Sequence, residues 1–389
     1  MGPAGVCVAC GGDGSRLAAE QVYCARCRWL RPLAASYDLG LEAFLWPADA
    51  EVMARLQSIQ PLSAAARKVS EGLGRPWLEA AVNGVRLSED QLPDVFALAV
   101  RAARILGLTH LPEIYVSGQN LWDTMTFGSE TDAFVSLGSV LANLRGKDLL
   151  FVVAREMGHV RAGHALWRTV TELVRGRRDA GSILGGGVME FLNPAKLIQS
   201  SVQAPLMAWK RNSELTADRA GLLVVGDMEV AERVLMQWAL KSFPLYRRIS
   251  QSAWRRQEDE SDDATMRVSE WMMTANPYIA RRLKLLRAFA ASADFAAWRE
   301  VVAYWTRDLP DFELPATSTE PGAQQPRRAG DMVRIICVVC KQPMRVPRAA
   351  LQGRSVVKIR CANPQCRKVM AVKARRPPAP GPETLTPGD

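Results

Sequence analysis

Histidine is scarce in this chain, which has only three among 389 residues: His110, His159 and His164. A catalytic metal site that relies on imidazole ligands must be built from these three. Long apolar runs are also missing, and without a stretch of 18 apolar residues the sequence predicts no transmembrane helix. The N-terminal residues lack a basic segment followed by an apolar one, so we expect no secretory signal peptide. These absences favour a cytoplasmic, reducing location.

No cysteine is left over from the two sets of four that lie near the ends of the chain. The first set is Cys7, Cys10, Cys24 and Cys27, and the second is Cys337, Cys340, Cys361 and Cys366. Two closely spaced pairs can complete a tetrahedral zinc site, and four protein ligands leave no position for water. We therefore predict two structural zinc ions, one in each of two zinc ribbons. Buried thiols and redox pairs are the alternatives, but redox pairs do not normally occur as matched doubles.

Positive charge is concentrated in one short segment. The formal net charge is +10, yet residues 327–376 contain 14 Lys and Arg against one acid, Asp331, and so carry +13. The remainder of the chain is slightly acidic. Such a basic module suits nucleic acid, an acidic protein or an anionic membrane surface. The alternative is a basic ribbon that is merely solvated.

Composition and periodicity divide the chain into five segments. They are an N-terminal zinc ribbon (1–35), a mostly helical core (36–308), a flexible linker (309–330), a basic C-terminal zinc ribbon (331–374) and a disordered tail (375–389). The fold class predicted is mainly α with a small β-sheet, plus two small zinc-ribbon modules. Helical periodicity covers residues 94–106, 148–175, 230–243 and 276–291. Short strands are expected at 113–116 and 133–137. Residues 180–205 are predicted to be a loop with short helical pieces.

The segment REMGHVRAGH, which begins at Arg155, contains two of the three histidines. In an HExxH helix, two histidines on one face bind zinc, and the glutamate after the first activates the metal-bound water. Here Glu156 fills the general-base position and His159 the second ligand position, but Arg155 stands at the first. Downstream, Glu214 and Asp218 are also four residues apart on a predicted helix.

These motifs follow the segments PEIYVSGQNLWDTMTFG and AFVSLGSVLANL and precede ANPYIARRLKLL. In that order, residues 41–291 resemble the HtpX and CAAX-prenyl-protease type of zinc metallopeptidase, peptidase family M48. The resemblance implies an α+β gluzincin-like core with Glu156 as base, His159 and Glu214 as remnant ligands of a catalytic zinc, and Asp218 supporting them. Arg155 and Asn276 depart from the pattern, and the absence of transmembrane helices makes a CAAX-protease role unexpected.

Arginine cannot ligate zinc, because its guanidinium stays protonated and has no lone pair to offer. It does suit carboxylates as a bidentate partner. We therefore predict that Arg155 replaces the metal as the cation of the site and contacts Glu214, Asp218 or both, with no third zinc. On one continuous helix, His164 would point away from the site. His164 and His110 are both predicted to be ordinary structural histidines.

Three functions stay open on the sequence. The first is a degenerate, inactive peptidase that binds a protein or peptide segment in the groove of the core. The second is an active zinc metalloendopeptidase with an atypical metal site. The third is a nucleic-acid-associated or protein-docking scaffold that acts through the basic C-terminal ribbon.

Overall fold

The computed structural model describes residues 6–58, 83–119, 121–128, 132–174, 200–260, 277–309, 332–341, 343–347, 356–361, 363 and 366–373. The chain divides into two units, Met1–Leu314 and Pro315–Asp389. The boundary falls in the segment predicted as a linker. That segment beyond residue 309, the predicted tail and Asn276 lie outside the described residues.

The first unit is mainly helical, as expected. Its described helices are α1 (Pro47–Ser58), α2 (Pro93–Ile105), α3 (Gly146–Arg161), α4 (Ala165–Val174), α5 (Ser200–Val225), α6 (Met228–Leu240), α7 (Phe243–Tyr246), α8 (Gln251–Glu260), α9 (Ile279–Ala290) and α10 (Ala293–Thr306). Short 3-10 turns occur at Leu41–Ala43 and Leu141–Asn143. Among these helices none has the length and apolar character needed to cross a bilayer.

A small mixed sheet lies beside the helices. Its strands are β1 (Gly84–Arg86), β2 (Glu113–Ser117), β3 (Thr124–Gly128) and β4 (Ala133–Gly138), in the order β1-β2-β4-β3. Strands β2 and β4 are parallel, and the other two pairs are antiparallel. Strand β3 is therefore an edge of the described sheet. Its alternate residues are buried, and it packs on α3 and α4.

Helices α3 and α5 form the central pair of the core. They approach closely because glycines occupy the crossing. A Cβ atom added at Gly158 would lie 2.5 Å from the Cβ of Ala220, and one at Gly221 would lie 2.9 Å from Cγ of Arg155. This close approach places Arg155 and His159 of α3 opposite the middle of α5.

Two of the predicted elements are wrong in their bounds. The helix predicted over 148–175 is two helices, because α3 ends at Arg161 and Gly163 takes a left-handed φ of +71° before α4 begins. The loop predicted up to residue 205 is also wrong at its end, since Pro205 lies inside α5. Burial of the following Leu206 and Trp209 holds that turn helical in spite of the proline. Residues 180–199 lie outside the described residues.

The N-terminal ribbon packs directly on the sheet end of the core. Trp29 forms a β-bridge with His110, and the backbone N–H of Leu30 donates to Thr109 at 2.9 Å. The Leu30 side chain is 1% exposed and belongs to the main hydrophobic core. Arg28 reaches Glu113 at 3.4 Å. The first four cysteines are thus attached to the start of β2.

The second unit contains two antiparallel hairpins. Strands β5 (Met332–Ile336) and β6 (Pro343–Pro347) form the first, and β7 (Val356–Arg360) and β8 (Val369–Lys373) form the second. Each hairpin brings one pair of cysteines to its turn. Two hairpins that each carry a cysteine pair at the turn are the arrangement expected of a zinc ribbon.

Candidate functional site

A buried guanidinium lies at the centre of the first unit. Arg155 is 1% exposed, and its Nε donates to Oδ1 of Asp218 at 2.6 Å. Its Nη2 donates to Oε2 of Glu214, also at 2.6 Å. The guanidinium carbon lies 4.7 Å from the centre of the Trp238 ring, within cation–π distance. Arg155 was predicted to contact Glu214, Asp218 or both, and in the structure it contacts both.

The charges of this group stabilise one another. Burial alone lowers the pKa of Arg155, but Asp218, Glu214 and Glu156 raise it above its ordinary value. Burial likewise raises the pKa of Glu214, but Arg168 and then Arg155 lower it well below its usual range. Both groups are therefore charged at neutral pH, as a buried ion pair with complete hydrogen bonding requires.

Asp218 is shared between two arginines. Besides Arg155, it binds Arg282 of α9, whose Nε donates to Oδ2 at 2.8 Å and whose Nη2 donates to Oδ1 at 2.7 Å. This fork-like pairing is the geometry in which guanidinium and carboxylate bind most strongly. It ties the late helix α9 to the middle of α5.

Glu156, the residue at the general-base position, is fully buried. The hydroxyls of Thr124 and Thr126 donate to its Oε1 and Oε2 at 2.5 and 2.7 Å. These threonines alternate along β3 and present their side chains to the same face. A general base must reach the proton it removes, directly or through one water. In this structure both carboxylate oxygens of Glu156 are engaged by the strand instead.

His159 is held by hydrogen bonds on both ring nitrogens. Nη1 of Arg168 lies 2.8 Å from its Nε2, and Nδ1 of His164 lies 2.9 Å from its Nδ1. Arginine can only donate, so Nε2 accepts and the single ring proton sits on Nδ1. That proton is donated to His164, whose own proton on Nε2 faces Oδ2 of Asp49 at 3.0 Å. Burial first, and then Arg168, lowers the pKa of His159 well below its ordinary value.

The expectation that His164 points away from the site is wrong. It assumed one continuous helix, on which a residue five positions after His159 lies far around the axis. Instead α3 ends at Arg161, the chain turns at Gly163, and the first residues of the next helix fold back against His159. His110 lies at the bridge to the N-terminal ribbon, consistent with a structural role.

Arg168 closes the network. Its Nη1 donates to Oε1 of Glu214 at 2.8 Å as well as to His159. The three buried carboxylates Glu156, Glu214 and Asp218 are thus accompanied by three arginines, from α3, α4 and α9. The three positive charges match the three negative ones, and each arginine joins at least two secondary-structure elements.

A cavity of about 490 Å³ opens beside this network. Edge strand β3 forms one wall, and residues of α5, α6 and α9 form the others. Apolar and aromatic surface is supplied by Phe127, Trp238 and Tyr278, while Arg155, Arg168 and Glu214 lie at the floor. A cleft with an apolar wall, a strand edge and a polar floor is suited to an extended peptide.

A catalytic zinc does not fit the side chains of this centre. Arg155 fills the first ligand position with a cation, and Arg168 occupies the Nε2 lone pair of His159. Both oxygens of Glu214 accept from arginines. Among the described residues, the groups that could hold a metal ion are the two cysteine clusters. That the core binds no zinc stays a prediction, and these hydrogen bonds are its physical basis.

The cysteine clusters do fit zinc. In each cluster the four sulfur atoms lie within 4.8 Å of one another, and Cys340 and Cys361 are 3.6 Å apart. Four sulfurs around a tetrahedral zinc are separated by about 3.8 Å. Backbone N–H groups of Cys10 and Ala9 lower the pKa of Cys7 to about 6, whereas burial raises the pKa of Cys27 in the same cluster to about 12. The same turn geometry lowers the pKa of Cys337 to about 6.

Sequence reasoning missed Arg168, Arg282 and Asp49. One signal was present: three carboxylates predicted at one buried site cannot be balanced by Arg155 alone. Two further cations were therefore required nearby. Their positions could not be deduced, because they depend on the turn at Gly163 and on how α9 packs.

The family model described as "Peptidase family M48" matches residues 90–290, which is more than half of the chain. The chain belongs to peptidase family M48. The match covers α2 to α9 of the fold and includes Arg155, His159, Glu214 and Asp218.

Among curated proteins, this member of the M48 family is similar to the plastoglobule-localized metallopeptidase 48, chloroplastic, of Arabidopsis thaliana. The two are 29% identical over 217 residues, which is 55% of this chain and 60% of the relative. The matched region thus spans about three fifths of the relative's length. No solved structure matches this chain significantly.

Proposed function

We propose that this protein is a degenerate M48 peptidase that binds a protein or peptide segment without cleaving it. The observation that carries the proposal is the arginine network at the metal position. Arg155 and Arg168 together take the place of a zinc ion: one binds the carboxylates of Glu214 and Asp218, and the other binds His159 and Glu214. No water-activating cation has room in that arrangement.

Peptide binding is supported by the cavity. Strand β3 is an edge of the described sheet and lines one wall, so an extended segment can lie along it. Hydrolysis, by contrast, needs Glu156 to act on a metal-bound water, and its oxygens are held by Thr124 and Thr126. The alternative of an active metalloendopeptidase requires a zinc in the core.

Metal content tests the proposal directly. Purified full-length protein should contain two zinc ions per chain, one for each cysteine cluster. Arg155→His alone should still contain two, because Arg168 continues to occupy Nε2 of His159. Arg155→His combined with Arg168→Leu should gain a third. A third tightly bound zinc in the wild type would establish the active-enzyme alternative, provided chelator-sensitive casein cleavage is lost in Glu156→Gln.

Peptide binding is tested separately with fluorescein-labelled, unfolded casein. Wild-type protein should raise the fluorescence anisotropy of the labelled casein, and the casein should not be cleaved. Phe127→Asp in the cavity wall should weaken this binding at least tenfold. Val85→Asp is the matched control, because Val85 is exposed on β1 at the opposite edge of the described sheet. Equal binding by both variants would show that the cavity does not hold the peptide.

A further inference from the structure

Exposed aliphatic side chains are concentrated at the zinc end of the C-terminal ribbon. The described part of the chain has eleven exposed large apolar side chains, and four of them belong to this small unit. They are Ile336, Val338, Val339 and Val369, which are 54–67% exposed. Each lies within three positions of a cysteine of the cluster. Because the four sulfurs are close together, these side chains belong to one end of the ribbon.

Among the described residues of the ribbon, these four side chains lie outside its hydrophobic core. That core consists of the cysteines with Met370, Ile335 and Ile359 packed against them. The tip valines Val338 and Val339 lie inside the Cys337–Cys340 turn, which is closed by a hydrogen bond from the Lys341 backbone N–H to the Cys337 carbonyl at 3.0 Å. The fold thus holds two aliphatic side chains outward on a rigid turn.

Cations surround the same turns. Lys341 and Arg367, which immediately follow the last cysteine of each turn, and Lys368 are all exposed. The module as a whole carries +13 over residues 327–376. Its partner is therefore anionic and must also accept aliphatic side chains.

An anionic lipid surface meets both requirements. Aliphatic side chains on a projecting turn enter the boundary between headgroups and acyl chains, while lysine and arginine bind the headgroups. Single-stranded nucleic acid is gripped by stacking on aromatic rings, and residues 327–376 contain no Phe, Tyr or Trp. An acidic protein partner would need an apolar pocket of matching shape, whereas a bilayer accommodates a projecting tip without one.

We propose that the zinc end of the C-terminal ribbon docks the protein onto an anionic lipid surface. Val338 and Val339 insert, and Lys341, Arg367 and Lys368 contact the headgroups. The site is independent of the cavity in the first unit and of the peptide-binding proposal.

Vesicle co-sedimentation of the full-length protein provides the test. Binding is compared between vesicles of phosphatidylcholine alone and vesicles with 30% phosphatidylserine. Anionic vesicles should bind at least tenfold more tightly, and added salt should weaken the binding. Val338→Ser with Val339→Ser should weaken it about tenfold or more, and Lys341→Gln about fivefold. Zinc content is measured for each variant to show that the ribbon is folded.

The matched control is Val6→Ser with Val8→Ser, since these two valines are also exposed beside cysteines, but in the N-terminal ribbon. This control should bind vesicles as the wild type does. Failure to prefer anionic vesicles, or equal binding by the Val338/Val339 variant, would overturn the proposal. The proposal would also be overturned if the wild type binds no vesicles but binds a 20-mer RNA or poly-glutamate, and the Val338/Val339 variant loses that binding. The first result would assign the tip to nucleic acid, and the second to an acidic protein.

Discussion

At the scale of single residues, guanidinium groups that donate hydrogen bonds stand where a zinc site would have a dication that accepts lone pairs. A zinc ion would draw the lone pairs of His159 and Glu214 to one point. Here Arg168 donates to both of these side chains, and Arg155 donates to Glu214 and Asp218. The carboxylates thus keep a positive partner in these two arginines.

Removal of Arg155 is expected to be costly for stability. Arg155→Ala leaves Glu214 and Asp218 with reduced compensation in a buried site, and breaking such a pair typically costs about 3–5 kcal/mol. Arg86→Ala is the control, since the Arg86 side chain is 62% exposed and its partner Glu113 keeps its ion pair with Arg28. Urea unfolding should show a change below about 1 kcal/mol for the control. Similar values for the two variants would contradict a structural role for Arg155.

The pH dependence of stability should report on His159. Its pKa is lowered well below the ordinary value in the folded chain, so on acidification the unfolded chain takes up a proton first. Stability is then full above about pH 7 and falls below about pH 6.5, by up to about 1.4 kcal/mol per pH unit. Thermal unfolding between pH 7.5 and 5.5 measures this slope.

His159→Gln provides the comparison for that measurement. Glutamine can accept from Arg168 and donate to His164, as the neutral ring does, but it does not titrate. Its melting temperature should depend less on pH over this range. An unchanged slope would assign the pH dependence to other groups.

At the scale of elements, the sequence was sufficient wherever one helix determined the geometry. The four-residue spacing of Glu214 and Asp218 placed both carboxylates on one face of α5, and Arg155 contacts both. The sequence was insufficient to predict the position of a side chain where the chain reverses direction between two helices. The end of α3 at Arg161 turned His164 toward the site, a change that helical periodicity cannot anticipate. The Arg282 contact depends on helix packing and was likewise not predictable.

The close crossing of α3 and α5 yields a second stability prediction. Gly158→Ala should destabilise the protein by about 1–3 kcal/mol, although alanine is the better helix former. The added Cβ would lie 2.5 Å from Cβ of Ala220, which is fixed to the backbone of α5. Gly118→Ala is the control, because nothing lies within 4 Å of a Cβ at that position.

A double variant isolates the cause of that effect. Combining Gly158→Ala with Ala220→Gly removes the overlapping atom and should recover part of the lost stability in urea unfolding. A double variant as unstable as the sum of the two single changes would mean that the contact between the helices is not responsible.

At the scale of the whole molecule, the two zinc ribbons differ in their relation to the helical core. The N-terminal ribbon belongs to the first unit, where Leu30 is buried in the main core and Arg28 binds Glu113. The C-terminal ribbon belongs to the second unit. One set of four cysteines thus belongs to the unit that contains the helical core, and the other set belongs to the second unit.

Loss of a zinc ligand should therefore have different effects in the two ribbons. Cys24→Ser opens the first cluster and releases the turn that positions Leu30, whose burial is worth about 1.5–3 kcal/mol. The main thermal transition of the full-length protein should then fall by about 2–5 °C. Cys361→Ser is the matched control: it should lose one zinc as well, yet leave that transition within about 1 °C, because the second unit has its own small core around Cys361 and Met370. Equal shifts in the two variants would mean that both ribbons stabilise the core, and no shift in either would mean that the contacts of Arg28 and Leu30 persist without the metal.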